Sequence, residues 1–157
     1  MKKAERFSGI VGSLLVLTLL SGSGVSVYGQ APSTSPDVDG AVLDRQLIMQ
    51  QLDRDATALG QILAGIGDAD TLADHAHAIA RGAKEAVAAY RTVSPGGAAK
   101  AEVWSDHENF MRHMQDFADK AQAMADASDT HDIEKVSSLA VEALPCKSCH
   151  DRYKGTK

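Results

Sequence analysis

The sequence predicts an all-α fold, an antiparallel up-down-up-down four-helix bundle, and three observations carry that expectation. From about residue 41 onward, apolar residues recur at alternating three- and four-residue intervals in four separate windows, the spacing of buried helix faces. Short turn-forming stretches separate the windows, so neighbours in sequence become antiparallel neighbours in space. The chain has only one Trp, three Tyr and three Phe, so its core must be built mostly from Ala, Leu, Ile, Val and Met.

Residues 1–30 read as an export signal: Lys2, Lys3 and Arg6 form a basic start, residues 10–20 an apolar run, and small residues follow around Gly22 to Gly29. The run is too short to span a bilayer comfortably. Export places the remainder outside the cytoplasm, in the periplasm, where thiols meet oxidising conditions. Residues 31–40, rich in Ser, Thr, Pro and Asp, read as a linker, and residues 41–157 as the bundle. Without Lys2, Lys3, Glu5 and Arg6 the chain keeps 13 basic and 20 acidic residues, a net charge of −7. Such a surface excludes nucleic acid and anionic membrane as partners.

The first helix is expected over residues 41–66. Val42, Met49, Leu52, Ala56, Leu59, Leu63 and Ile66 follow at intervals of 7, 3, 4, 3, 4 and 3. Arg45 holds the position that completes the first heptad. A cation there needs a buried anion from outside the stripe, or else it snorkels to water from the helix end. Residues 67–70 turn the chain, Asp70 is the expected N-cap, and the second helix runs over 71–90 with Leu72, Ala76, Ile79, Ala83, Ala86 and Tyr90 inward. Pro95-Gly96-Gly97 marks a loop over 92–99.

Ser105-Asp106-His107-Glu108 has the form of a capping box, so the third helix should begin there and reach residue 127, with Phe110, Met114, Phe117, Ala121 and Met124 inward. The fourth helix starts near Asp132 and carries Ile133, Val136, Ala140 and Ala143 inward. Pro145 deletes a helical hydrogen bond, which predicts a kink or a new helix starting there.

Cys146-Lys147-Ser148-Cys149-His150 is a C-x-x-C-H motif in a chain with no other cysteine. That pattern signals covalent attachment of haem c. Residues three apart share a helix face, so Cys146 and Cys149 can form thioethers along one edge of a porphyrin, and His150 falls under the iron as its proximal ligand. The alternatives explain less. Structural zinc wants four ligands, and this chain has one cysteine pair without a second. A thioredoxin-like pair follows a strand, and no strand pattern is near. A disulfide across so short a loop removes little chain entropy and leaves His150 without a role.

In the expected topology Arg45, Met49, Tyr90, Trp104 and His107 share the end of the bundle that holds His150. Met49 lies on the core stripe of the first helix, where its thioether is either a second axial ligand or core filler. His107, in the first turn of the third helix, is expected to face water, His113 to lie at the surface or seam edge, and His75, His77 and His131 to be solvated at the far end.

Three stretches resemble the cytochrome c-prime superfamily: Arg45-Gln46-Leu47-Ile48-Met49, Val103-Trp104-Ser105-Asp106 with Phe110, and Cys146 through Lys154. The resemblance spans the whole expected bundle. It implies an exported four-helix bundle with one haem c per chain, Arg45 near a propionate, Trp104 against the cofactor, and Met49 at the distal position. Members of that superfamily are either low-spin, with a methionine of the first helix on the iron, or high-spin and five-coordinate. The chain departs from the pattern at Asp44, where an aromatic residue is common, and at Pro145, where small or hydroxyl residues are usual. The expected function is single-electron transfer with a redox partner protein and no substrate transformed. The alternative is a five-coordinate haem that binds nitric oxide or carbon monoxide, and the molecule is a monomer or a homodimer joined through its first two helices.

Overall fold

A computed structural model describes residues 38–156; the expected export segment and the linker up to residue 37 lie outside them. Six α-helices follow in chain order: α1 (Val38–Leu63), α2 (Leu72–Tyr90), α3 (Glu102–Ser105), α4 (His107–Ser128), α5 (Ile133–Ala143) and α6 (Cys146–Tyr153). The long helices α1, α2 and α4 with the broken pair α5 and α6 form the antiparallel four-helix bundle. No described helix is long and apolar enough to cross a membrane.

The bundle is packed unevenly. α1 lies on α2, α2 on α4 and α4 on α5, while α1 and α5 have no comparably close backbone approach. Alanine makes the first three seams tight: Ala76, Ala80, Ala83, Ala86, Ala118, Ala121 and Ala125 are buried around Leu59, Ile79 and Met124. Gly82 of α2 takes this furthest, because a Cβ there would come within 2.8 Å of Leu52 Cδ2. The side between α1 and α5 is the least closely packed.

Several boundaries differ from expectation for identifiable reasons. α1 starts at Val38, inside the stretch read as linker, and ends at Leu63. The chain then turns through Gly65 at φ 74°, so Ile66 leaves the stripe and stands 79% exposed while Ile62 is buried. A 3₁₀ turn, Ala69–Thr71, precedes α2, and its cap is Asp68, whose side chain accepts from the Asp70 N–H, rather than Asp70. The capping box at Ser105 does not form. Instead Asp106, at φ −126° and ψ 50°, separates α3 from α4 with no side-chain cap. α5 begins beside Asp132 as expected, and Asp132 caps it by accepting from the Lys135 N–H at 2.9 Å, but Ile133 is half exposed. Pro145 starts a new helix, as its missing N–H requires at that place.

Polar contacts correct the far end as well. Asp55 is buried on the α1 stripe, where its carboxylate meets His75 Nδ1 at 3.0 Å and accepts from Gln51 Nε2 at 2.8 Å. His75 is thus half-buried between helices rather than fully solvated. His77 pairs with Asp129 at 2.7 Å, and His131 is exposed in a left-handed turn at φ 57°.

Candidate haem site

Helix α6 is only eight residues long, and its start at Pro145 sets the register of the motif. Cys146 is exposed, Cys149 is half-buried, and both thiols are free. Burial pushes both thiols above their ordinary value; the Asp53 carboxylate adds to the effect at Cys146, and Arg152 opposes it at Cys149. His150 is shifted down, chiefly by partial burial and then by Lys154, against the opposing pull of Asp53 and Asp151. The shift favours the neutral imidazole, the form that binds a metal ion.

Two cavities flank these residues. One, of about 360 Å³, extends toward Val42, Arg45, Tyr90 and the loop at Gly96 to Ala99. The other, of about 400 Å³, extends toward Leu52, Phe117, Leu144 and Cys146. Met49, Asp53, Met114, Cys149, His150 and Tyr153 line both. They occupy the side of the bundle where α1 and α5 stay apart, and their size is that of ordinary cofactor sites.

Arg45 does not snorkel. It is 4% exposed, its Nη1 donates to Ser94 Oγ at 2.6 Å, and its Nη2 donates to the Ser94 carbonyl at 2.9 Å. Its guanidinium carbon lies 5.1 Å from the Tyr90 ring centroid and 5.3 Å from that of Trp104, within cation–π range of both. A guanidinium has five N–H donors, and no carboxylate among the described residues pairs with this one. Trp104 stands behind Arg45, stacked on Tyr90 at 6.0 Å, rather than on a cavity wall. His107, half-buried, turns inward; it stacks on Trp104 and donates from Nε2 to the Tyr90 carbonyl at 2.7 Å. His113 is at the surface and borders the second cavity.

These residues fit a haem c. Two free thiols three residues apart and a neutral imidazole stand at the mouth of paired cavities. A buried cation lacks its anion, and Tyr153, which lines both cavities, has a buried hydroxyl with no partner among the described residues; Trp104 Nε1 is equally unpaired but lies off both cavity walls. The described residues contain no group of three or more His, Cys, Asp or Glu arranged around a metal ion, which disfavours zinc. Sequence reasoning missed Ser94 and left Tyr153 without a role. Ser94 carries no periodic signal, whereas Tyr153 falls on the His150 face of α6 by its spacing of three.

Comparison with known proteins agrees with the fit. A family model described as cytochrome c' matches residues 40–154. A cytochrome c' from Alcaligenes xylosoxydans xylosoxydans is 34% identical over 71 residues, 45% of this chain, and the chain spans only 56% of that relative's length in the match. The solved cytochrome c prime from Shewanella frigidimarina superposes with a TM-score of 0.71 at 26% identity, over 77% of this chain and 98% of that one. A ferrous variant of cytochrome c prime from Alcaligenes xylosoxidans with bound NO gives 0.69 at 26% identity, over 76% and 97%. With the family model matched across nearly all the described residues and the fold shared over almost the full length of the solved relatives, the chain belongs to the cytochrome c' family, and its cofactor is that family's covalently bound haem c.

Proposed function

We propose that Cys146 and Cys149 hold the haem through two thioethers, that His150 and Met49 ligate its iron, and that the protein carries single electrons in the periplasm without transforming a substrate. The observation that carries this reading is the placement of Met49 on α1 and His150 on α6 along the walls of the same two cavities. Bound there, haem c supplies one-electron chemistry between ferrous and ferric iron. Met49 offers a soft thioether that favours the ferrous state and raises the potential. Arg45 supplies buried positive charge, which also favours the less positive ferrous form. Lys2, Lys3 and Arg6 ahead of an apolar run support export.

A second reading has its own support. The solved relative with bound NO suggests an open sixth position, with Met49 as a wall that selects small gases. The optical spectrum of the oxidised protein decides between the two. Electron transfer predicts a low-spin spectrum with a sulfur-to-iron band that Met49→Ala abolishes. A high-spin spectrum at neutral pH, unchanged by that substitution and shifted by nitric oxide, would replace the electron carrier with the gas binder.

A further inference from the structure

Tyr153 carries a polar atom that no described residue satisfies. The residue is 6% exposed and its hydroxyl is buried without a hydrogen-bond partner. The ring, by contrast, is well held: edge-on to Phe110 at 5.0 Å, 6.0 Å from His113, and 5.0 Å from the Arg152 guanidinium. The Lys100 N–H donates to the Tyr153 carbonyl at 2.9 Å, which fixes the backbone too. Phenylalanine would make the same ring contacts without burying an unpaired hydroxyl.

The position of that hydroxyl is informative. Tyr153 stands three residues after His150 and four after Cys149 on one helix, so the three side chains share a face. All three line both cavities. The ionisable groups around the same space are Arg45 and Asp53 of α1, Tyr90 of α2, His113 and Asp116 of α4, Glu142 of α5, and Cys146, Cys149, His150, Arg152 and Lys154 beside the tyrosine. None of their oxygens is within hydrogen-bonding reach of the hydroxyl. No described residue supplies the acceptor, and the hydrogen-bond acceptors that haem c would bring into the adjoining cavities are its two propionate carboxylates.

We propose that Tyr153 contacts the haem directly, its hydroxyl donating a hydrogen bond to a propionate carboxylate. The proposal rests on the haem attachment described above. Arg45 lines the smaller cavity together with Tyr153, so α1 and α6 each present a donor to one space. The hydroxyl holds the carboxylate anionic and fixes that edge of the porphyrin, a task the thioethers at the other edge do not perform.

The test is Tyr153→Phe in the mature holoprotein. Intact mass establishes one haem per chain in both proteins; a wild-type mass without haem sinks the attachment and this proposal together. With haem present, the substitution is expected to lower the melting temperature. It should also move the pH at which the reduction potential steps to higher values, because a carboxylate that loses a donor holds its proton more tightly. An unchanged or higher melting temperature, or a pH step that stays in place, overturns the proposal and leaves the attachment standing.

Discussion

At the scale of single residues, the burial of Arg45 is made tolerable by partners of three kinds. Ser94 gives it a hydroxyl and a carbonyl, and Tyr90 and Trp104 give it the negative faces of their rings. The arrangement also acts on Tyr90, whose phenol is pushed above its ordinary value by burial, with Arg45 opposing and Cys149 adding to the rise. A tyrosine held neutral in the fold contributes stability that is complete below its unfolded value near 10, and that contribution is lost as pH rises through the higher folded value. The protein should therefore lose stability above about pH 10, and Tyr90→Phe should flatten that loss. Urea midpoints measured from pH 8 to 11 check it, and parallel curves for the two proteins would remove Tyr90 as the cause. The sequence placed Arg45 on the buried stripe by its heptad position alone. It gave no sign of Ser94, because the path of an irregular loop is set by what it packs against and not by periodicity.

At the scale of elements, the seams between helices decide what was legible. The Pro145 break was readable because a missing N–H has one local consequence. The Asp106 break was not, since Ser105 and Glu108 satisfy the pattern of a capping box that the backbone does not adopt. Asp55 was hidden for a related reason: a polar residue on an apolar stripe reads as an interruption until its partner on the next helix is seen. That partner is His75 of α2, and the pair ties α1 to α2 beneath Leu59 and Ile79. His75→Ala leaves the buried carboxylate with only Gln51, at an expected cost of about 1–3 kcal/mol. Asp55→Asn, which keeps an acceptor for His75, should cost less. Chemical denaturation at neutral pH measures both, and equal stability of His75→Ala and the wild type would show that water replaces the imidazole freely.

At the scale of the whole molecule, the alanine-rich bundle packs α1 on α2, α2 on α4 and α4 on α5 closely and leaves two cavities where α1 and α5 stay apart. Aromatic residues are scarce in the sequence, and the structure gathers several of them, Tyr90, Trp104, Phe110 and Tyr153, at the end of the bundle that holds His150. What the sequence did not disclose is how the last helix is moored. The chain beyond α6 pairs with the loop before α3: Ala99 and Lys154 form an isolated antiparallel bridge, the Gly155 N–H donates to the Ala98 carbonyl at 2.7 Å, and the Lys100 N–H to that of Tyr153. This mooring acts as a latch on the last helix. These backbone bonds, together with the buried ring of Tyr153 against Phe110, hold the end of α6 to the loop before α3. With the haem held by Cys146 and Cys149, as proposed above, opening this latch would also have to move the cofactor. Amide exchange at Lys100 and Gly155 should then be fast in the haem-free chain and slow in the mature one, and equal rates in both would mean that the latch is indifferent to the cofactor.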